Sequence, residues 1–208
     1  MNTYVRRFRV RPGMTILAVL LLASCTAPKG DWTREEKQLL GAREDVMRVL
    51  TVDNQEDSLI LRTSCTWLSD EDLQSPEFRS LSEKLVATVT SPEQDGVGIA
   101  GPQVGILRRV IAVQRFDKEG EPFEVYPNIA VIETRGETVE GPEGCLSIPG
   151  WCGMVPRYRD ITIKYTVPET LCDTTEQVTG YTAVIFQHEN DHLAGILYTD
   201  RATSLSER

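Results

Sequence analysis

The chain is short of bases, of histidine and of cysteine, and each shortage excludes something. Lys and Arg number 22 against 31 Asp and Glu, a net charge of −9. Four of those bases (Arg6, Arg7, Arg9 and Arg11) precede Cys25 in a stretch without acids, so the remaining 18 face all 31 acids and that body stands at −13. A body so acidic is repelled by polyphosphate, which argues against nucleic-acid binding. Five cysteines in 208 residues are too few for a disulfide scaffold. The apolar run Met14 to Ala23 is ten residues long, half of the roughly 20 that a membrane span needs. Only two histidines occur, and both fall in one short motif. What remains is ordinary: 40% hydrophobic and 25% charged residues describe a soluble globule, and the length fits one domain.

The N-terminus reads as an address. Arg6 to Arg11 form a positive region, and the run MTILAVLLLA follows it and ends at Leu22-Ala23-Ser24-Cys25. That ending resembles the lipobox of bacterial lipoproteins, in which the signal is cut before a cysteine that then carries lipid. The division expected is therefore a signal over 1–24, a tether and N-terminal helix over 25–45, and a catalytic domain over 46–208. The protein is then a membrane-anchored lipoprotein, held through lipidated Cys25 on the periplasmic or cell-surface face. An unprocessed N-terminus would leave it in the cytoplasm.

Arg34 to Leu50 carries Leu39, Leu40, Val46, Met47 and Leu50 at helical spacing, and Ser58 to Arg62 reads as a short strand. Ser75-Pro76 is a cap with a first-turn proline, opening a helix through Phe78, Leu81, Leu85 and Val89. Strand-like runs follow at Arg109 to Val113, Phe123 to Val125, Ile129 to Ile132 and Ile161 to Tyr165, punctuated by Gly and Pro. Tyr181 to Leu193 closes the pattern as a helix. Helices, then several strands, then a helix predict an α+β fold with mainly antiparallel sheets, not alternating βαβ.

That last helix holds Gln187-His188-Glu189-Asn190-Asp191-His192. Histidines at i and i+4 project from one face, so both imidazoles can reach one metal ion. Glu189, in this HExxH pattern, is placed to act as general base. Asp191 is a candidate to orient a ligand ring or to anchor the helix. A third ligand is needed, and the only acids after His192 are Asp200 and Glu207. Cys145, in Glu143-Gly144-Cys145-Leu146-Ser147, is the better candidate, since thiolate suits zinc or ferrous iron. A lone cysteine is as readily a small buried hydrophobe, so spacing alone does not decide it. Gly96-Val97-Gly98-Ile99-Ala100-Gly101-Pro102-Gln103 suggests backbone passing close to a ligand, although a surface turn would look the same.

Taken together and in this order, GVGIAGPQ, EGCLS and QHENDH resemble the three motifs of the peptide deformylase family. Ile148-Pro149-Gly150, Val155-Pro156-Arg157 and Gly195 to Arg201 continue the likeness, which runs from about Met47 to Arg201. Gly101 stands where the family usually has alanine, which suggests a looser loop wall. The resemblance implies antiparallel sheets packed around a central C-terminal helix carrying HExxH. It also implies a hydrolase that removes the formyl group from N-formylmethionyl peptides or proteins, acting as a monomer. Cys145, His188 and His192 would hold one divalent ion, Fe2+ first, with Zn2+ and Ni2+ also able to occupy the site. Glu189 would move the proton. The Gln103 amide and the Leu146 backbone N–H would receive the developing oxyanion. Gly98, Ile99 and Gly144 would shape the substrate cleft.

Glu143 and Arg157 are expected to pair partly buried and to hold the cysteine loop. Cys65, Cys152 and Cys172 are expected to be structural, with a disulfide open to any two if the body is exported. Two other readings share some of these features: a zinc endopeptidase of HExxH type, and a membrane-tethered homologue without turnover.

Overall fold

Side-chain caps decide where the helices begin. In the computed structural model, which describes residues 31–207, the Thr33 hydroxyl accepts from the Glu36 N–H while the Glu36 carboxylate accepts from the Thr33 N–H. This closed box opens α1 (Arg34–Leu40). Asn54 caps α2 (Gln55–Leu61), Ser69 caps α3 (Asp70–Gln74), and Ser75 with Pro76 opens α4 (Pro76–Val89). Two expectations fail here. The first helix stops at Leu40: Gly41 is its C-cap, and the next N–H, of Ala42, turns to the Leu39 carbonyl three residues back at 3.3 Å instead of continuing the helical pattern. Leu50 then reaches the core from irregular chain, its N–H held by the Gln103 carbonyl at 2.8 Å. The short strand read at Ser58 to Arg62 is helix α2. The Asn54 side chain accepts from the N–H groups of Glu56 and Asp57, and Arg48 grips Asp57 with two bonds of 2.7 Å, so the apolar residues wind instead of extending.

Two antiparallel sheets follow. The first pairs β1 (Gly98–Ala100), β2 (Val110–Gln114) and β3 (Phe123–Pro127) in that order. The second pairs β4 (Ala130–Cys145), β5 (Ile148–Val167) and β6 (Cys172–Thr179), with β7 (Ser204–Glu207) added to β5. The α+β layout with antiparallel sheets is as expected. The runs Ile129 to Ile132 and Ile161 to Tyr165 prove to be pieces of one long β4–β5 hairpin. Gly136, at φ +76°, marks a register shift along it, and Leu146-Ser147 closes it with Cys145 opposite Ile148. The turn thus delivers Cys145 at the tip of a braced ladder.

α5 (Gly180–His192) is packed against β5, β1 and β2 and is buried on most sides. Ala183, Ile185 and Phe186 join Ile111, Val113, Tyr126 and Ile161 in one core cluster. Burying a side chain such as Phe186 contributes about 1.5–3 kcal/mol. Among the described residues no helix is long and apolar enough to cross a membrane. The signal read over 1–24 and Cys25 lie outside the described residues.

Candidate metal centre

α5 and the hairpin tip meet at one place. α5 presents His188, Glu189 and His192, and the hairpin presents Cys145. One ligand atom from each of Cys145, His188 and His192 lies within 4.8 Å of the others. The Cys145 Sγ is 3.2 Å from the His192 Nε2, and the two imidazole centroids are 5.1 Å apart. Two imidazoles and a thiol converging without an intervening side chain form a donor set suited to zinc or ferrous iron.

The ring of His188 is fixed from behind. Its Nδ1 lies 2.8 Å from Glu143 Oε2, so Nδ1–H donates there and Nε2 is left for the centre. Arg157 holds the same carboxylate through Nε at 2.8 Å and Nη2 at 3.1 Å. The expected Glu143–Arg157 pair is therefore present, and it is buried rather than partly exposed. Asp191 does not orient a ligand directly. It accepts from Arg157 at 2.6 Å and from Arg201 at 2.5 and 2.7 Å, so of its two expected roles it takes the second and anchors the helix. The orienting carboxylate is Glu143.

The electrostatics divide the groups. Burial works against a charged His188, but bonds to Cys145 and Glu143 outweigh it and hold His188 above its ordinary value. Burial, with the His188 charge beside it, drives His192 down, so it stays neutral and able to ligate. Burial also raises Glu189 to about 7, helped by the Glu143 charge and opposed by His188 and Arg157. Glu143 goes the other way: burial is outweighed by its bonds to His188 and Arg157, and it is held below its ordinary range.

Glu189 Oε2 is buried without a hydrogen-bond partner among the described residues. Its other oxygen lies against Gly98, where an added Cβ would come within 2.5 Å of it. Gly98 is glycine because Glu189 stands there. Gly98, Gln103, Gly144, Cys145, Leu146 and Glu189 share one cleft of about 580 Å³. Ile99 does not face it: strand alternation turns its side chain into the core beside Leu85 and Val110, a correction to the expected cleft set. A larger cavity of about 960 Å³ lies between α4, β3 and β5, away from the three ligating side chains.

Gln103 is aimed. Its Oε1 accepts from the Ala100 N–H at 2.8 Å, which leaves its Nε2 to donate to Ser147 Oγ at 3.2 Å and toward Cys145 Sγ at 3.6 Å. Gly101 does not loosen this wall. A Cβ there would meet the carbonyls of Ile106 and Arg108 at 2.7 and 2.8 Å, so the glycine lets the loop pack tighter. Two residues escaped the sequence reading. Ser147 steadies Gln103, and the Tyr198 ring stacks on His188 at 6.0 Å and 21°. Both lay inside quoted motifs, with nothing in their spacing to assign a role. The four described cysteines are free; Cys65 is buried, and burial pushes its thiol up to about 12.

Known proteins resemble this chain over the same span. The family model described as polypeptide deformylase matches residues 46–208. A peptide deformylase of Roseiflexus sp. (strain RS-1) is 36% identical over 171 residues, covering 76% of this chain and 90% of that relative. One from Leptospira biflexa serovar Patoc is 34% identical, covering 76% and 89%. Among solved structures, the class I type b peptide deformylase from Acinetobacter baumannii with Met-Ala-Ser bound gives a TM-score of 0.66 at 33% identity, over 75% of this chain and 98% of that one. The same enzyme with actinonin bound gives 0.66 at 34% identity, over 76% and 99%.

Proposed function

This chain belongs to the peptide deformylase family, and on that premise we propose how its own residues divide the reaction. It is a metal-dependent hydrolase that removes the N-formyl group from N-formylmethionyl peptides and releases formate. Cys145, His188 and His192 would hold the ion, and their convergence fits it. When bound, the ion supplies Lewis acidity, acidifying water and polarising a carbonyl. Ferrous iron is the ion proposed, since thiolate and imidazole together suit it, as they suit zinc.

The observation that carries the division of labour is the unpartnered, buried Glu189 carboxylate beside three ligating side chains. Buried in the cleft beside the three ligating side chains, Glu189 can take a proton from attacking water and return it to the departing amine nitrogen. Gln103 Nε2 donates to the formyl oxygen as charge grows on it, and the Leu146 backbone N–H in the hairpin turn is the second donor. Glu143 keeps the proton on His188 Nδ1. Gly98 leaves room for the Glu189 carboxylate at the cleft wall.

Formate release from formyl-Met-Ala-Ser by metal-loaded protein tests the reading. Release that drops by roughly 10²–10⁴-fold in Glu189→Gln, with metal content retained, is expected. Full turnover in that variant would remove Glu189 from the proton path. Cleavage of internal peptide bonds instead would restore the endopeptidase reading.

The location proposed is the membrane, through Cys25. Four arginines followed by ten largely apolar residues and a cysteine support it. Formylated peptides already released or exported would then be the substrate. Fractionation of cells carrying wild type and Cys25→Ala tests this: a soluble wild type still beginning at Met1 would refute it.

A further inference from the structure

Arg201 stands outside the cleft, on the turn after α5, with 44% of its side chain exposed. Its guanidinium nevertheless begins an unbroken line of bonds that ends on His188. Arg201 Nε donates to Asp191 Oδ2 at 2.5 Å and its Nη2 to Oδ1 at 2.7 Å. Arg157 Nη1 donates to the same Asp191 Oδ2 at 2.6 Å. Arg157 then grips Glu143 with two bonds, and Glu143 Oε2 is shared between Arg157 and His188 Nδ1. Each carboxylate is thus a bridge through a single shared oxygen, and Arg157, Glu143 and Asp191 are all buried.

A second contact comes from the same turn. Tyr198, whose carbonyl accepts from the Arg201 N–H at 3.0 Å, lays its ring on His188. The turn over Tyr198 to Arg201 therefore meets His188 twice, once by ring packing and once through the line of charges. Two cations alternate with two anions, so the line is neutral as it stands. Losing its outer cation leaves Asp191 buried with Arg157 alone, and an excess negative charge beside the Arg157 that Glu143 depends on. Arg157 would be drawn toward Asp191 and its hold on Glu143 loosened.

We propose that Arg201 is a positioning residue of the metal centre: through Asp191, Arg157 and Glu143 it sets the orientation with which His188 meets the ion. The proposal rests on His188 being a ligand. Outer partners of ligating histidines are worth 10–100-fold in metal affinity, and at this remove the low end, about tenfold, applies.

The test is metal affinity of the full chain, measured with Ni2+ by chelator competition and with Co2+ by the absorption bands of its thiolate- and imidazole-bound form. Arg201→Ala should weaken Ni2+ binding about tenfold and shift the Co2+ bands. Arg201→Lys, which keeps the charge but loses the fork, should recover part of both. If Arg201→Ala does not fold, Arg201→Lys against wild type carries the comparison with the same readouts. Affinity and bands unchanged in the Arg201 variants, with only a lowered melting temperature, would make the residue structural and overturn the proposal alone. Affinity unchanged in His188→Ala would overturn the ligand reading first, and the proposal with it.

Discussion

Two buried arginines clasp the same helix at different points, and only one serves the metal centre. Arg115 is 1% exposed and lies 5.6 Å from the Phe186 ring of α5, where Asp117, Glu124 and Glu176 surround its guanidinium. Arg157 is 4% exposed and meets α5 at Asp191. In both, bonds to acids outweigh burial and hold the guanidinium more basic than usual. The difference lies in what surrounds them. The acids around Arg115 are 24–34% exposed and lead outward to Lys118, whereas Glu143 and Asp191 are 6% and 8% exposed and lead inward to His188. A buried guanidinium is by itself no mark of a site. The group at the far end of its bonds is.

The largest effect that could break this comparison comes from Arg157→Ala. It removes the cation shared by two buried carboxylates, which costs about 3–5 kcal/mol, and it frees Glu143 from the partner that keeps it on His188. Urea unfolding should show that loss, and the metal-to-protein ratio should fall with it. A destabilised protein that still fills with metal would disconnect the Arg157 line from the centre.

The next effect is one of pH, and it belongs to the metal end alone. Around Arg115 the acids Asp117 and Glu124 are held below their ordinary values. At the centre the two carboxylates part: Glu143 is held down, while burial raises Glu189 from 4.5 to about 7. A lowered carboxylate adds stability above its unfolded value and loses it as pH falls through the folded one. A raised carboxylate does the reverse, since the folded state keeps a proton that the unfolded state has released. Metal-free protein should therefore lose about 3 kcal/mol as pH climbs through the window from 4.5 to about 7, at roughly 1.4 kcal/mol per unit. Unfolding measured at pH 5 and pH 8 checks this. The Glu189 share is the difference between wild type and Glu189→Gln, since His188, held up, and His192, held down, act alike in both; a difference that does not change between the two pH values would remove Glu189 as its source.

Arg115→Ala should cost less, about 1–3 kcal/mol, because water can replace part of what its partly exposed acids lose. Its metal affinity should equal wild type. A site emptied by this variant would show that the two clusters communicate through α5, and the contrast between them would fail.

The contrast also shows what was legible in advance. Cys145, His188 and His192 could be found because the chemistry they share demands particular residue types, and the pairing of Glu143 with Arg157 followed from the same motifs. Arg115, Asp117, Glu124, Tyr126 and Glu176 form no motif, since they come together from the loop after β2, from β3 and from the distant β6. The β4–β5 hairpin was visible only in fragments: much of β4 is exposed and carries acids and glycines in place of apolar alternation. Ile99 was misplaced because a glycine-rich run does not reveal which side of its strand faces the cleft. Of the two roles open to Asp191, anchoring the helix is the one found; the carboxylate that orients His188 is Glu143, which reaches α5 from β4 and has no sequence neighbour among the histidines.

The smallest prediction sharpens the comparison at its outer ends. Arg201 and Lys118 close the two clusters toward solvent and are alike in exposure, 44% and 37%. Lys118 sits 2.7 Å from Glu124 and 3.6 Å from Glu176, both partly exposed, so its pairs are screened by water and salt. Such pairs are worth about 0.2–1 kcal/mol, and Lys118→Ala should lose that amount at low ionic strength and less in 1 M salt. Its metal affinity should not move, because its bonds end on Arg115 and Tyr126 and never reach a ligand. Arg201→Ala should show the opposite pattern, with affinity moving more than its exposure would suggest. Equal shifts in metal affinity from both variants would mean that net charge near the centre matters and the line of bonds does not; the separation expected here is what assigns the effect to Asp191, Arg157 and Glu143.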